Sequence, residues 1–298
     1  MKTLALGLVV ASHGRHVMVE TGPGQRLLCH PRGKKSEAVV GDRVRWQPAG
    51  DEGVIEAVEP RRNLLFRQDE WKTKSFAANL DQILVLVAGE PMFSESQLTR
   101  ALIAADDAGI PALVGLNKTD LPAAQAAREK LSPYARMGVT VIELALRTQP
   151  QASREVLASR LQGRTTLVLG PSGTGKSTLI NLLVPQADAQ VGEISQALGT
   201  GRHTTTTTLW YWLDATRQGA LIDSPGFQEF GLRQIAADRL PSLMPDIAAH
   251  AGDCRFYNCT HLHEPGCSVR QAVERGDIAS NRYRLYSELF QELSQRRW

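Results

Sequence analysis

Cysteine is scarce in this chain: four in 298 residues, three of them crowded between positions 254 and 267. That excludes the dispersed disulfide framework of a small secreted domain. Aromatic residues are only 6% of the chain. No apolar run approaches the ~18 residues of a membrane-spanning helix. The N-terminal stretch Leu4–Ala11 is interrupted by Gly7 and followed by His13 and Arg15. It has no small-residue cleavage site, so it reads as a first strand and not as a signal peptide. A cytoplasmic chain without membrane contact is expected. A surplus of either charge is also missing: 34 basic against 31 acidic side chains leave +3. This permits nucleic-acid binding without arguing for it. What remains is an ordinary globular composition, 42% apolar and 22% charged, at a length of two or three domains.

Against this plain background one stretch stands out. Residues 170–178 read Gly170, Pro171, Ser172, Gly173, Thr174, Gly175, Lys176, Ser177 and Thr178, after the apolar run Thr166–Leu169 and before Leu179–Leu183. Strand, glycine loop and helix in this order, with the spacing Gly-x4-Gly-Lys-Ser, form a phosphate-binding loop. The glycines let backbone amides turn toward phosphate oxygens, and the helix start adds partial positive charge. Lys176 is placed to reach the β- and γ-phosphates, and the Ser177 hydroxyl to ligate Mg²⁺.

Residues 1–66 alternate short strands (Leu4–Val10, Val17–Glu20, Gln25–Cys29, Asp42–Gln47, Gly53–Val58) with turns at Gly22-Pro23-Gly24 and Pro48-Ala49-Gly50. Five such strands suit a small closed barrel of the oligonucleotide-binding type. Arg32, Lys34, Lys35, Arg43, Arg45, Arg61 and Arg62 recur here, interleaved with acids. A phosphate-backbone face and ordinary solvated charge are equal readings. Trp46 is the chief aromatic, so base stacking on the barrel is not indicated. Cys29 reads as a packed strand residue. Residues 67–79 read as a polar, flexible linker. From Ile83 the pattern becomes buried strands (Ile83–Val87, Pro111–Leu116, Val139–Leu144, Thr165–Leu169) alternating with helices such as Gln97–Ala108, a doubly wound α/β domain over 67–235.

Two further signatures fall in this domain. Asn117-Lys118-Thr119-Asp120 closes the strand Pro111–Leu116. There Asp120 is suited to accept from N1 and the 2-amino group of guanine, a donor pair that adenine lacks. Asn117 can bond loop and base, and the Lys118 stem can cover the purine. A backbone amide near Leu144-Ala145-Leu146 is a candidate donor to the guanine O6. Asp223-Ser224-Pro225-Gly226 follows the strand Gly219–Ile222. It offers Asp223 behind Mg²⁺ and the Gly226 amide to a γ-phosphate. Gly201-Arg202-His203 and Thr204–Thr208 lie between the two. A threonine of this run, with Thr205 favoured, is expected to ligate Mg²⁺ in a segment that orders with the triphosphate. A strand lead-in to Leu209–Trp212 is compatible with that role. The order of these parts is permuted: the base motif precedes the phosphate loop, which precedes Asp223–Gly226.

The remaining segment, 236–298, carries Cys254-x4-Cys259-x-His261-x5-Cys267. Three thiols and an imidazole form a closed tetrahedral set suited to one structural Zn²⁺, with His263 as a substitute for His261. Residues 269–298 read as helix. Arg270, Arg275, Arg282, Arg284, Arg296 and Arg297 there present either a basic face or solvated charge.

In Val40-Gly41-Asp42, Asn79-Leu80-Asp81, Leu116–Leu121, Gly170–Ser177, Gly201–Thr206, Asp223–Phe227 and the set Cys254, Cys259, His261, Glu264 and Cys267, the chain resembles the RsgA family. These are circularly permuted GTPases of small ribosomal subunit biogenesis. The resemblance implies a permuted P-loop GTPase domain with an N-terminal OB-type barrel and a C-terminal helical zinc domain. It implies GTP/GDP with Mg²⁺, ribosome-stimulated hydrolysis in late small-subunit maturation and contact with 16S rRNA. Assembly factors are further possible partners, and a monomer is expected. Phe227 stands where many GTPases carry a glutamine that orients water, and Gln228 comes one position late. Slow intrinsic hydrolysis follows, with His203 the substitute for catalysis; packing or capping by His203, and charge neutralisation by Arg202, are the alternatives. Gly173 occupies the position of the asparagine of potassium-activated GTPases, so no potassium dependence is expected. A nucleotide-regulated RNA-binding scaffold with little turnover is the rival function. A small-molecule kinase is disfavoured by Asn117–Asp120.

Overall fold

The computed structural model describes residues 4–13, 16–22, 24–33, 38–68, 73–187, 207–224, 227 and 230–295. The first five strands are β1 (Ala5–His13), β2 (His16–Gly22), β3 (Gln25–Pro31), β4 (Arg43–Ala49) and β5 (Glu52–Val58). They pair in the order β1-β2-β3-β5-β4, and β4 returns to β1, which closes the barrel. The β3–β5 pair is parallel and the others antiparallel. Val10, Val17, Val19, Val44 and Ile55 are buried, as is Cys29, whose thiol burial pushes up to about 11.

The predicted linker is structured on both sides of its tip. β6 (Leu64–Gln68) and β7 (Thr73–Ala78) form an antiparallel hairpin. Leu65, Phe76, Ala77 and Ala78 are buried. The pairs Gly41–Asp42 and Asn79–Asp81 fasten this hairpin to both neighbours. Asp42, fully buried, accepts two bonds from Arg61 and one from the Val39 amide. Asn79 donates to the Gly41 carbonyl at 2.9 Å, and Asp81 accepts from the Thr165 amide at 2.7 Å.

The α/β domain contains β8 (Gln82–Ala88), α1 (Glu95–Asp107), β9 (Ala112–Asn117), α2 (Ala124–Arg136), β10 (Thr140–Glu143), α3 (Pro150–Leu161), β11 (Thr165–Leu169), α4 (Lys176–Leu183), β12 (Thr208–Trp212) and β13 (Ala220–Asp223). Every residue of β8 is buried, as a strand covered on both faces requires. Ser94 caps α1, accepting from the Gln97 amide. The sheet runs β10-β9-β8-β11-β13-β12, parallel except for β12. The strand of the phosphate loop, β11, is thus central in space although three sheet strands precede it in sequence. This is the permuted order. β12 also pairs with barrel strand β1, placing Ser12 opposite Thr208. Glu20 of β2 reinforces the seam by accepting from Trp212 Nε1 at 3.1 Å and from Arg217 at 2.7 Å.

The C-terminal part has a 3₁₀ segment (Ala237–Leu243), α5 (Pro245–Ala251), α6 (Ser268–Arg275) and α7 (Ser280–Ser294). The single helix read over 269–298 is two, because Gly276 turns the chain in the left-handed region at φ 82°. Of its arginines, Arg282 departs from both readings. Arg282 is buried, Arg275 pairs with Asp277, and Arg284 with Glu288. Arg296 and Arg297 lie outside the described residues.

Arg282 joins this part to the α/β domain. Its guanidinium makes a forked pair with Asp246 (2.7 and 3.1 Å), donates to Thr99 of α1 at 2.8 Å, and lies 4.8 Å from the ring centre of Tyr134 in α2. Among the described residues no helix is long and apolar enough to cross a membrane. Arg282→Ala would strand the Asp246 carboxylate, whose side chain is 13% exposed. A loss on the order of 3 kcal/mol is expected, measured as a fall in thermal midpoint, with part recovered when Asp246→Ala is added. A single variant as stable as its parent would show that the pair does not hold the junction.

Candidate nucleotide site and metal centre

β11 ends buried at Leu169, and the loop returns into α4 at Gly175. Gly175 has φ 100°, and a Cβ there would stand 2.3 Å from Asn117 Nδ2. Only glycine satisfies both the turn and that approach. No side chain caps α4, which directs its N-terminal amides and partial positive charge at the loop. Thr174 is buried, and its hydroxyl donates to the Pro171 carbonyl at 2.9 Å, bracing the loop. Pro171 is half-buried, and Ser172 and Gly173 are exposed. Ser177 and Thr178 line the adjoining cleft. Lys176 donates to Asp223 at the end of β13, with Nζ to Oδ1 2.6 Å. The phosphate-loop lysine and the acid suited to stand behind Mg²⁺ are therefore side by side.

The base motif is built against the same loop. Asn117, buried at the end of β9, donates to the Thr174 carbonyl at 2.8 Å and accepts from the Leu146 amide at 3.2 Å. Lys118 takes φ 62° and reaches the Glu90 carbonyl at 2.7 Å. The Thr119 amide and hydroxyl both donate to the Leu144 carbonyl. Asp120 is exposed at a cleft of about 640 Å³, which Asn117, Lys118, Leu121, Leu146, Arg147, Thr148 and the phosphate loop also line. The proposed O6 donors near 144–146 are engaged inside the chain. The Leu144 amide bonds the Leu116 carbonyl, Ala145 bonds Ser153 Oγ, and Leu146 bonds Asn117. Arg147 and Thr148, absent from the sequence expectation, reach the cleft instead. No local pattern marks them; the only signal was their place just beyond the strand Val139–Leu144.

His203, Thr205 and Gly226 lie outside the described residues, as do Arg202, Thr204 and Thr206. The Thr208 and Ser224 hydroxyls are 3.1 Å apart. Phe227 is buried, edge-on to Phe230 at 6.2 Å, and Phe230 stacks on Phe76 of β7 at 5.4 Å. Phe227 therefore points into an apolar layer and orients no water.

Cys254, Cys259, His261 and Cys267 place one ligand atom each within 4.8 Å of the others. His261 Nδ1 is 3.3 Å from Cys254 Sγ and 3.5 Å from Cys267 Sγ, and the two sulfurs are 3.9 Å apart. A tetrahedron with Zn–S of about 2.3 Å and Zn–N of about 2.0 Å has edges of roughly 3.5–3.8 Å, so the donor set fits zinc. Burial lowers the His261 pKa, favouring the neutral form a ligand needs, and raises the Cys259 thiol to about 12. A bound divalent cation would reverse the latter. Tyr283 and Tyr286 of α7 donate to the His261 and Thr260 carbonyls. Although burial opposes it, bonding from the Thr260 hydroxyl and amide holds the Glu264 carboxyl far below the usual range. His263 is exposed and outside the set.

Four of the barrel arginines are paired: Arg32 with Glu56, Arg45 with Glu59, Arg61 with Asp42 and Arg62 with Asp81, while Arg43 is exposed. Lys34 and Lys35 lie outside the described residues.

A family described as RsgA GTPase matches residues 58–233. The chain is 62% identical over 297 residues to the small ribosomal subunit biogenesis GTPase RsgA of Variovorax paradoxus (strain S110), covering 98% of this chain and 93% of that protein. It is 52% identical to the protein of the same name from Paraburkholderia xenovorans (strain LB400), covering 98% and 95%. Among solved structures it is similar to YjeQ from Thermotoga maritima, with TM-score 0.75, 30% identity and coverage of 99% and 100%. It is also similar to YloQ, described as a circularly permuted GTPase, with TM-score 0.70, 26% identity and coverage of 100% and 98%. The family match spans more than half of the chain and the relatives nearly all of it, so this chain belongs to the RsgA GTPase family.

Proposed function

We propose that this GTPase hydrolyses GTP to GDP and phosphate in late maturation of the small ribosomal subunit, is stimulated by the ribosome and contacts 16S rRNA. The observation that carries the site assignment is the closure of one cleft by residues far apart in sequence. Asn117 bonds Thr174, and Lys176 bonds Asp223. In this reading Asp120 selects guanine and Lys118 covers the ring. The loop amides and Lys176 stabilise charge on the transferring phosphoryl group. Ser177 and Thr205 would hold Mg²⁺, with Asp223 behind them, and the cation would neutralise phosphate charge. Water attacks the γ-phosphorus, and the bond to the β–γ bridging oxygen breaks. His203 orients that water once the ribosome orders its segment. Cys254, Cys259, His261 and Cys267 would hold a structural Zn²⁺. The working divisions are a barrel over 1–66, a GTPase domain over 67–235 and a zinc domain over 236–298. The protein acts as a cytoplasmic monomer, with assembly factors as further partners.

Three measurements test this. GTP turnover should be slow alone and rise strongly with purified small ribosomal subunits, and His203→Ala should lower the stimulated rate by about a hundredfold. Full stimulation in the variant would move catalysis to another group. No stimulation of the parent would leave a nucleotide-regulated scaffold. Asp120→Asn should weaken GTP binding by about a hundredfold or more and transfer preference to xanthosine triphosphate; unchanged selectivity would remove Asp120 from base reading. Elemental analysis should find one zinc per chain, and a zinc-selective chelator, with Mg²⁺ kept in excess, should melt the 245–294 helices while GTP binding persists. A chain that keeps its helicity and melting profile after zinc removal would exclude a structural role.

A further inference from the structure

Of the large apolar side chains exposed among the described residues, two are aromatic, and they are neighbours: Phe256 at 40% and Tyr257 at 102%. Tyr257 is as open as in an extended peptide and stabilises nothing in the fold. Both sit in the short loop between Cys254 and Cys259. That loop is a built turn: the Cys259 amide donates to the Phe256 carbonyl and the Arg255 amide to the Gly266 carbonyl, each at 3.2 Å. The Arg255 guanidinium lies 5.5 Å from the centre of the Phe256 ring. Gly266, at φ 72°, lets the Arg255 stem lie close; a Cβ there would stand 3.2 Å from Arg255 Cβ. The acid inside the knuckle, Glu264, is turned onto Thr260 and the His263 amide. Arg255 and Asn258 of the same loop are exposed, as are Asp253 before it and His263 after it.

We propose that Phe256 and Tyr257, flanked by Arg255, form a stacking platform for an unpaired base of RNA. An open tyrosine ring next in sequence to a phenylalanine ring that a guanidinium faces is chemistry that holds a splayed nucleotide. The bases of an A-form duplex are stacked and out of reach of such a loop, so the occupant is single-stranded. This rests on the RNA-contact reading above and places one such contact on the knuckle.

The test uses the full, zinc-loaded chain, a fluorescein-labelled unstructured twelve-nucleotide RNA, the matching RNA duplex and purified small ribosomal subunits. The parent should prefer the single strand to the duplex. Tyr257→Ala should weaken single-strand binding about tenfold, with unchanged salt dependence, zinc content and unstimulated GTP turnover. Tyr257→Trp should restore affinity to within about twofold. Arg255→Ala should reduce the log–log salt slope by about one. If the parent binds RNA and Tyr257→Ala and Phe256→Ala bind it equally well, the platform is overturned while the RNA reading stands. Loss confined to ribosomal subunits, with single-strand affinity intact, would identify a protein partner and overturn it too. A parent that binds no RNA in any form overturns both.

Discussion

The Asn117 side chain is the constraint on which the nucleotide site depends. One amide donates to the phosphate loop at Thr174 and accepts from Leu146, so loops that follow three different strands share one buried group. The approach is so close that Gly175 cannot carry a Cβ. An aspartate at 117 would lose the donor to Thr174 and bury a charge beside that carbonyl. The loops meet because parallel strands β8, β9, β11 and β13 end on the same edge of the sheet. The Lys176–Asp223 pair joins the far side of the cleft to the same loop.

Permutation changes what the two ends of that cleft are attached to. The strand that follows the threonine-rich segment, β12, is hydrogen-bonded to the barrel through β1. The chain that follows Asp223 runs onto the β6–β7 hairpin, where Phe230 stacks on Phe76 and Gln68 pairs beside Leu232. It then meets α7. Arg233 donates to the Glu292 carbonyl, and Arg100 bonds both Phe230 and the Glu292 carboxylate. β12 is thus bonded directly to the barrel, and the chain beyond Asp223 to the hairpin and α7. The hairpin is part of this coupling, which a flexible connector could not be.

Much of this was legible in the residues because the chemistry is local. A glycine loop between strand and helix, a base motif at a strand end and four metal ligands within fourteen positions each declare themselves over a short window. What was not legible depends on partners distant in sequence. Arg282 looks like surface charge until Asp246, Thr99 and Tyr134 surround it. The barrel arginines read equally as an RNA face or as solvated charge, and their pairing with Glu56, Glu59, Asp42 and Asp81 is not marked by any local pattern. The hairpin was hidden by the polar residues in its sequence, since Phe76 is covered by Phe230, more than 150 positions away. The amides of 144–146 looked available for a base because nothing nearby in sequence names Asn117 or Ser153 as their acceptors.

The aromatic layer also bears on catalysis. Phe227 follows Gly226 and is committed to packing against Phe230, which is itself committed to Phe76. A glutamine at 227 would have to bury its amide in that layer or leave it, and leaving would remove an anchor between the nucleotide site and the hairpin. Mechanical coupling and water orientation thus compete for one position, and packing occupies it. In our reading the hydrolytic group is then His203, from the stretch of sequence that leads into β12. Because β12 is tied to the barrel, a partner that grips the barrel acts on the strand leading out of that segment. This gives a physical reason for our assignment of slow intrinsic turnover, of His203 as the orienting group, and of the ribosome as the body that sets it in place.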